Sequence, residues 1–410
     1  MDLFITNSQK KCYGELEISG SKSESNRLLI IKSFIPNIEI QNLSNSDDTI
    51  LLLNALSSKK SILDIEHAGT AMRFLTAFFA TQPKKKVLLT GSERMKERPI
   101  GVLVDALKKI GADISYDGHS GFPPLKINGK IIKGGELSLS SKVSSQFISA
   151  ILLISPFLEN GITLKLNGKI TSLPYIEMTL SILKKIGVIY NFKNNVIKIE
   201  KFDRIKENLI VVESDWSSAS YFYSCVALSD NAELKLTRFY DKSIQGDSIL
   251  IDLYKNFGVE SRIKDGALYL RKIKKIKVKN SMDFNLINCP DLAQTIAVTS
   301  FGVGVECNLY GLHTLRIKET DRLEALHTEL SKLGANVKIT RDSLHIYQSE
   351  NIFSNIKIKT YNDHRMALAF APLALKVPIQ IENYKVISKS FPTFWEDMES
   401  IGFQVIKNEY

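Results

Sequence analysis

A short polar stretch near the start of the chain has the residue types of an anion-binding site. The stretch "SGSKSESNR", residues 19–27, contains four serines, one glycine, Lys22 and Arg27, and it directly precedes the apolar run "LLII". Hydroxyls, backbone N–H groups and a cation at a helix start bind phosphates and carboxylates. A capped helix start with solvated charges has the same composition. Taken alone, the stretch supports the two interpretations about equally.

Six further stretches place cations or hydroxyls where helical apolar periodicity begins. They are "HAGTAMRF" (67–74), "LTGSERMKERPI" (89–100), "KVSSQFISAILL" (142–153), "RIKETDRLEAL" (316–326), "TYNDHRMALAFAPLAL" (360–375) and "SKSFPTFWEDM" (388–398). In the fifth of these, Asp363, His364 and Arg365 lead into a helix that is apolar nearly all round and therefore buried. Burying such charges is unfavourable unless they pair with each other or with a ligand.

Two of these stretches also predict local structure. Residues 89–100 form either a solvated loop or a cationic site beside a helix that starts at Pro99. In "RIKETDRLEAL" the predicted N-cap is Thr320, with Leu323 and Leu326 on the core face of the helix.

Length and charge narrow the classes of protein. The chain has 410 residues, which predicts two domains, and 44% hydrophobic with 24% charged residues is typical of a globular protein. The formal charge of +10 suits nucleic acid, a membrane surface or small anions. Because the cations lie singly at helix starts, each near hydroxyls or carboxylates, small multiply charged ligands fit best.

The cysteines and apolar stretches indicate the compartment. Cys12, Cys225, Cys289 and Cys307 are far apart in sequence, so we expect no disulfide framework and a reducing cytoplasm. No zinc-ligand spacing is present. The N-terminus lacks the signal-peptide pattern. The runs "FISAILLIS" and "AMRFLTAFFA" are too short or too polar to span a bilayer, so they predict buried helices.

One pattern recurs along the chain: an amphipathic helix, a glycine, and a short β-rich run. The glycines are Gly111, Gly187, Gly258, Gly334 and Gly402, separated by 76, 71, 76 and 68 residues. Each follows the last helical turn, where a left-handed cap is favoured. A degenerate copy in "ILLLNALSSKKSILDI" makes six units, which divide into two groups of three. The alternative explanation is that helix–glycine–strand sequences are common in α/β proteins and do not mark a repeat here.

The motifs together resemble one family. "SGSKSESNR", "AGTAMR", "RMKERPIG", "SSQF", "LPYIEMT", "DWSSASYF", "PDLAQT", "KETDR", "YNDHRMA" and "SKSFP" follow the order and spacing of 5-enolpyruvylshikimate-3-phosphate synthases over essentially the whole chain. The resemblance implies the α/β enolpyruvyl transferase fold, with two similar domains of three βαβαββ units each. It places the active site in the interdomain cleft.

The resemblance also implies a domain division. Residues 1–19 plus 215–410 would form a discontinuous domain, and residues 20–214 an inserted one. The first would carry Asp291, Glu319, Arg322, Arg365 and Lys389. The second would carry Lys22, Arg27, Arg98 and Gln146.

The implied reaction moves the enolpyruvyl group of phosphoenolpyruvate to the 5-hydroxyl of shikimate 3-phosphate and releases phosphate, in chorismate and aromatic amino acid biosynthesis. No metal or organic cofactor is required, and domain closure is expected to gate the site. Asp291 would take the hydroxyl proton. Glu319 would act with Lys22 in protonating the methylene carbon, and Lys389 is the remaining candidate for proton transfer.

By the same resemblance, each substrate has a set of binding residues. Those for shikimate 3-phosphate would be Lys22, Ser23, Arg27, Ser144, Ser145, Gln146, Ser172, Tyr175, Asp291 and Lys318. Those for phosphoenolpyruvate would be Lys22, Gly69, Arg98, Gln146, Arg322, Arg365 and Lys389.

The chain departs from the family pattern at four positions. His67 replaces the usual asparagine before "AGTAMR", and Phe74 replaces the proline after it. Thr314 stands where an asparagine is typical, and Leu173 replaces a basic or small polar residue. The first two flank Gly69, so the shape of the phosphoenolpyruvate pocket is expected to differ from the family's.

The sequence also bears on three alternative functions. The enolpyruvyl transferase acting on UDP-N-acetylglucosamine uses a reactive loop cysteine, but no cysteine lies between Cys12 and Cys225. A nucleic-acid-binding protein would need a clustered basic face. The dense run "KIKKIKVKN", residues 272–280, alternates like an edge strand instead. A catalytically silent homologue would not need the complete set of charged motifs.

We expect a monomer without nucleic-acid or membrane partners.

Overall fold

The structure, a computed structural model, describes residues 1–141, 144–168, 170–273 and 280–408. The chain divides into two compact units: unit 1 is Met1–Ser19 with Glu213–Tyr410, and unit 2 is Gly20–Val212. Within the basic run at 272–280, residues 274–279 lie outside the described residues, so the predicted edge strand there stays a prediction.

The helices of unit 2 begin with the one that carries Lys22. They are α1 (Lys22–Phe34), α2 (Asp47–Ser57), α3 (Gly69–Ala80), α4 (Glu93–Lys96), α5 (Gly101–Lys109), α6 (Ser145–Ile154) and α7 (Leu173–Lys185). Those of unit 1 are α8 (Trp216–Leu228), α9 (Leu250–Lys255), α10 (Ala293–Val303), α11 (Arg322–Lys332), α12 (His364–Phe370) and α13 (Phe394–Ser400).

The strands are short, as expected for small repeated sheets. Before residue 20 they are β1 (Asp2–Thr6) and β2 (Lys11–Leu16). In unit 2 they are β3 (Glu39–Gln41), β4 (Ile62–Asp64), β5 (Lys86–Thr90), β6 (Asp113–Tyr116), β7 (Leu125–Asn128), β8 (Gly135–Ser140), β9 (Ile162–Asn167), β10 (Tyr190–Lys193), β11 (Val196–Ile199) and β12 (Leu209–Val211). The rest of unit 1 has β13 (Asn231–Thr237), β14 (Val259–Lys264), β15 (Ala267–Lys272), β16 (Ser281–Asn285), β17 (Glu306–Tyr310), β18 (Asn336–Ile339), β19 (Ser343–Tyr347), β20 (Ile356–Ile358), β21 (Ile379–Glu382) and β22 (Gln404–Asn408).

Five four-stranded sheets share one topology among the described residues. Two parallel strands are followed by an antiparallel pair, as in β16-β17-β19-β18 and β4-β5-β7-β6. The same order holds for β8-β9-β11-β10, β2-β13-β15-β14 and β20-β21-β1-β22. In the sheets β4–β7, β8–β11 and β16–β19 the helices fall between consecutive strands as βαβαββ, which confirms the predicted repeat. The other two sheets each include one strand, β1 or β2, from the N-terminal segment. The sixth sheet is reduced to the parallel pair β3 and β12.

The repeat glycines end their helices as predicted. Gly111, Gly187, Gly258, Gly334 and Gly402 all have positive φ, between 77° and 108°. A residue with a Cβ is disfavoured in this region, so glycine allows each chain to turn directly from helix to strand.

The core of each unit lies among helices that are buried on nearly every side. In unit 2 these are α3 and α6, which contain the predicted buried runs "AMRFLTAFFA" and "FISAILLIS". In unit 1 they are α8, α10 and α12. Of the described residues, none belongs to a helix that is long and apolar enough to cross a membrane.

Three local predictions differ from the structure. Residues 89–100 are not a plain loop, because Ser92 caps the short helix α4 by accepting a hydrogen bond from the Met95 N–H. The next helix starts at Gly101 rather than at Pro99. The prediction that Thr320 caps α11 is wrong. The first helical residue is Arg322, so the capping position falls on Asp321, whose carboxylate accepts from two backbone N–H groups.

Candidate active site

Six charged side chains of unit 1 pack together where three chain segments meet. They come from the 3₁₀ turn before α10, from the start of α11 and from the start of α12. We call them the unit 1 charge cluster: Asp291, Lys318, Glu319, Arg322, Asp363 and Arg365. The cluster holds as many carboxylates as cations, which explains how so many charges are tolerated at buried helix starts.

Arg322 lies at the centre of this cluster and contacts three carboxylates. Its Nε donates to Asp363 Oδ2 at 2.7 Å, its Nη1 to Asp291 Oδ1 at 3.0 Å, and its Nη2 to Glu319 Oε2 at 2.8 Å. Only 2% of the side chain is exposed. Burial would lower its pKa, but the three carboxylates outweigh burial and raise the pKa. Arg322 therefore remains charged and fixes the three carboxylates relative to one another.

Asp291 is surrounded by cations. Its Oδ1 lies 3.0 Å from Arg322 Nη1 and 3.7 Å from Lys318 Nζ, and its Oδ2 lies 3.2 Å from Arg365 Nη2. Burial would raise the pKa of the Asp291 carboxyl, but Arg365, Lys318 and Arg322 hold it well below its ordinary value. Asp291 is therefore an ionised hydrogen-bond acceptor at neutral pH. These cations also weaken it as a base.

Arg365 is tied to the same turn. Its Nη1 donates to the Asp291 carbonyl at 3.1 Å and to the Tyr221 hydroxyl at 3.4 Å. Tyr221 is buried on α8, which raises the pKa of its phenol to about 12. The phenol is therefore neutral, so it accepts a hydrogen bond from the guanidinium and orients it without adding a charge.

Lys389 lies at the end of a 3₁₀ helix ahead of α13. Its Nζ donates to the carbonyl of Asn362 at 2.7 Å. Asn362 directly precedes Asp363, so this cation is attached to the loop that also supplies Asp363 and Arg365.

The cations grouped in "RIKETDR" do not act together. Arg316 pairs instead with Asp321 at 2.7 Å and with Glu324 at 3.3 Å, on the solvent side of α11. Lys318, Glu319 and Arg322 join the charge cluster. Arg316 therefore belongs to a surface ion pair with Asp321, whereas the other charged residues of this motif belong to the charge cluster.

In unit 2, Lys22 is the first residue of α1 and contacts a carboxylate of α2. Lys22 Nζ lies 3.2 Å from Asp48 Oδ2, and His67 Nε2 lies 3.5 Å from Asp48 Oδ1. His67 Nδ1 is 3.8 Å from Glu66. The histidine that replaces the family's usual asparagine therefore shares the carboxylate partner of Lys22.

Gly69 and Arg98 are in close contact at the start of α3. A Cβ added to Gly69 would lie 2.6 Å from Arg98 Nη1, so the absence of a side chain lets the guanidinium lie against the helix start. Arg73, one turn along the helix, donates to the carbonyls of Gly69 at 3.1 Å and Pro99 at 3.3 Å. Arg98 is 8% exposed, whereas Arg94 forms an exposed pair with a neighbouring glutamate.

Arg27 is buried and forms hydrogen bonds with residues of three helices. It donates to Thr179 Oγ1 at 2.8 Å, to the Ser23 carbonyl at 2.7 Å, to Ser149 Oγ at 3.1 Å and to the Tyr175 carbonyl at 3.2 Å. Burial lowers the pKa of its guanidinium to about 10, so it is still charged at neutral pH. These bonds join α1 to α6 and α7.

The remaining predicted residues of unit 2 lie at the starts of α6 and α7. Ser144 caps α6 by accepting from the Gln146 N–H, and the Gln146 side chain donates to Thr70 Oγ1 at 3.2 Å. Ser145 is the first residue of that helix. Ser172, with φ 54°, precedes α7, and its carbonyl accepts from the Tyr175 N–H.

Three residues organise these groups through contacts that the sequence does not show. Asp48 has the same sequence context as other acids in the first turn of a helix. Tyr221 lies within the motif "DWSSASYF", but nothing in that motif indicates its contact with Arg365. Asp363 belongs to a predicted buried helix start, but its partner Arg322 lies 41 residues away, and no local pattern identifies such a pair.

Comparisons with known proteins show the family of this chain. A family model described as EPSP synthase (3-phosphoshikimate 1-carboxyvinyltransferase) matches residues 53–398. A 3-phosphoshikimate 1-carboxyvinyltransferase of Bacteroides fragilis is 40% identical over 409 residues, covering 98% of each chain. One of Haemophilus influenzae is 37% identical over 421 residues, covering 95% of this chain and 96% of that protein.

A solved structure supports the fold. The EPSP synthase of Acinetobacter baumannii has a TM-score of 0.78 at 23% identity, covering 99% of this chain and all of that one. The fold class and the family resemblance drawn from the motifs are confirmed. The chain belongs to the EPSP synthase (3-phosphoshikimate 1-carboxyvinyltransferase) family.

Proposed function

We propose that this chain transfers the enolpyruvyl group of phosphoenolpyruvate to the 5-hydroxyl of shikimate 3-phosphate and releases inorganic phosphate. It is a transferase of the shikimate pathway. The observation that carries the proposal is the unit 1 charge cluster, in which three carboxylates and three cations share one network. Addition to an enol phosphate needs an acid, a base and cations that accept phosphate charge, and the network brings carboxylates and cations together for these roles.

The chemistry proceeds by addition and elimination. A base takes the proton of the 5-hydroxyl, the oxygen bonds to C2 of phosphoenolpyruvate, and an acid protonates C3 to form a methyl group. In the second step a proton leaves that methyl group, the bond from C2 to the phosphate oxygen breaks, and phosphate departs. We assign the hydroxyl proton to Asp291 and the C3 proton to Glu319 with Lys22, with Lys389 as a further candidate.

The low pKa of the Asp291 carboxyl bears on its assigned role. A carboxylate held among three cations accepts a hydrogen bond strongly but a proton weakly. We therefore propose that Asp291 first orients the hydroxyl. It accepts the proton only as the oxygen bonds to C2, when the hydroxyl has become far more acidic.

Phosphoenolpyruvate is proposed to bind through five cations, a glycine and a glutamine. Its residues are Lys22, Gly69, Arg98, Gln146, Arg322, Arg365 and Lys389. Arg98 against Gly69 and Arg365 against Asp291 have their guanidinium groups already oriented, which lowers the entropic cost of binding a compact anion.

Shikimate 3-phosphate is proposed to bind at the starts of α1, α6 and α7 and at the charge cluster. Its residues are Lys22, Ser23, Arg27, Ser144, Ser145, Gln146, Ser172, Tyr175, Asp291 and Lys318. Because Arg27 already donates four hydrogen bonds within unit 2, we propose that it acts chiefly by holding these three helix starts in place.

The proposed domain division, cellular setting and assembly follow the same reasoning. We propose that residues 1–19 with 215–410, and residues 20–214, are the two domains of the enzyme. We propose a cytoplasmic monomer that binds neither nucleic acid nor membranes. Two observations support this: the four cysteines are buried and form no disulfide, and the site cations contact nearby carboxylates.

The proposal is tested by measuring phosphate release from phosphoenolpyruvate with and without shikimate 3-phosphate, with UDP-N-acetylglucosamine as a parallel acceptor. Release that requires shikimate 3-phosphate supports the proposal. Release with the sugar nucleotide instead, or with neither acceptor, contradicts it.

A further inference from the structure

Helix α11 contacts one loop at two points on the same face. Its first residue, Arg322, binds Asp363, and Glu329, two turns further on, binds the start of the same loop. Glu329 Oε2 accepts from the Lys359 N–H at 3.1 Å, and Oε1 accepts from the Tyr361 hydroxyl at 2.7 Å. Residues seven apart lie on the same side of a helix, so α11 can hold both ends of the segment 359–363.

Glu329 is completely buried, which is unusual for a carboxylate. Lys332 donates to both of its oxygens, at 2.9 and 2.7 Å, and balances its charge. Burial and the bond to Glu329 together raise the pKa of the Tyr361 phenol to about 12, so Tyr361 stays a hydrogen-bond donor. The Lys359 ammonium lies over the Tyr361 ring at 5.3 Å.

A lysine and a glutamate three residues apart on a helix can pair equally well on the protein surface. The pair with Lys332 alone therefore does not explain why the Glu329 carboxylate is buried. Burying the carboxylate beneath the loop is explained by the two loop donors that it accepts from. Glu329 is therefore positioned by the loop as much as by Lys332.

The loop that Glu329 holds has an unfavourable backbone. Tyr361 and Asn362 are consecutive non-glycine residues with φ of 54° and 55°. Left-handed conformations at residues with a Cβ persist only where surrounding contacts enforce them. This turn directs the Asn362 carbonyl to Lys389 Nζ and places Asp363 to cap α12, accepting from the Arg365 N–H at 3.0 Å.

We propose that Glu329 is a positioning residue for the phosphoenolpyruvate-binding cations Arg365 and Lys389. By holding Tyr361 and the Lys359 N–H, it maintains the left-handed turn that sets the directions of both cations. The inference rests on the proposed function, because it assigns those cations to phosphoenolpyruvate.

The kinetic test uses Tyr361→Phe and Glu329→Gln, with Tyr347→Phe as a matched control on an exposed tyrosine of unit 1. KM is measured for each substrate at saturating concentrations of the other. Losing one hydrogen bond predicts a rise of roughly 3- to 10-fold in KM for phosphoenolpyruvate in Tyr361→Phe, and more in Glu329→Gln. KM for shikimate 3-phosphate should stay within about 2-fold, and the control should match the wild type.

A second measurement separates positioning from a purely structural role. Glu329→Gln should raise KM for phosphoenolpyruvate by a smaller factor in the Lys389→Met variant than in the wild type, because part of the effect of Glu329 passes through Lys389. A lower melting temperature with unchanged KM, or fully multiplicative effects in the double variant, would overturn the inference.

Hydrogen–deuterium exchange tests the loop without any substrate. Peptides covering 359–365 should exchange faster in both variants, while peptides from β16 and β17 remain unchanged. If the wild type releases no phosphate from phosphoenolpyruvate in the presence of shikimate 3-phosphate, the proposed function fails. The exchange result still tests whether Glu329 holds the loop, because it needs no substrate. Unchanged exchange in both variants would refute the loop contact itself.

Discussion

Arg322 donates two hydrogen bonds to Asp363, from Nε to Oδ2 at 2.7 Å and from Nη2 to Oδ1 at 3.3 Å. The Asp363 side chain is fully buried and also caps α12. One carboxylate thus joins the start of α11 to the start of α12, the two helix starts that carry most cations of the charge cluster.

Removing this carboxylate should destabilise unit 1. In Asp363→Ala, the buried Arg322 loses its closest partner, and breaking a buried pair costs about 3–5 kcal/mol of unfolding free energy. Urea unfolding measures the change, with Asp241→Ala at an exposed position as the control. A loss below about 1 kcal/mol would mean that Asp291 and Glu319 compensate for Asp363.

Glu319→Gln should reduce turnover while leaving substrate binding nearly unchanged. Glutamine preserves the shape and a hydrogen bond to Arg322 but cannot transfer a proton. General acid catalysis contributes typically 10²–10⁴-fold, so kcat should fall by roughly that range. The control is Glu324→Gln on the exposed side of α11, where the partner is Arg316. Near-normal turnover of Glu319→Gln would remove Glu319 from the mechanism.

Gly69→Ala should weaken phosphoenolpyruvate binding through Arg98. The new Cβ would lie 2.6 Å from Arg98 Nη1 and 3.0 Å from its Cζ, so the guanidinium must shift. We expect KM for phosphoenolpyruvate to rise by roughly 10-fold, equivalent to about 1.4 kcal/mol. The control is Gly118→Ala, where the nearest atom would be 3.8 Å away. Equal KM values for Gly69→Ala and the wild type would show that Arg98 can move without loss.

Asp247 should make stability depend on pH. Burial, together with the negative charge of Asp291, raises the pKa of its carboxyl to about 7, and one oxygen accepts from Ser217. Between the ordinary value of 3.8 and about 7, the folded state binds more protons than the unfolded state. The unfolding free energy therefore falls as pH rises through this window and levels off above it.

Asp247→Asn removes this ionisation, so its stability relative to the wild type should be higher at pH 8 than at pH 5. The difference should be roughly 1–3 kcal/mol. Urea unfolding at the two pH values measures it, with Asp241→Asn as the control. A relative stability that does not change with pH would show that the Asp247 carboxyl titrates alike in both states.

Much of the fold was predictable because its signals are local. Apolar periodicity identified α3 and α6 as buried helices, and glycines such as Gly111 and Gly334 marked the turns that close each repeat. Both features depend on residues within one or two helical turns. The cations at helix starts were visible for the same reason.

The pairing of the charged groups was decided by tertiary structure. Arg316 and Arg322 lie in one motif, yet one contacts Asp321 at the surface and the other contacts Asp363 and Asp291 in the interior. The sequence alone determined which residues carry charge and that most of them lie close to helix starts. Which charges are buried together, and hence the low pKa of Asp291, depends on segments separated by 30 residues or more, because Coulomb interaction and burial follow distance in space rather than along the chain.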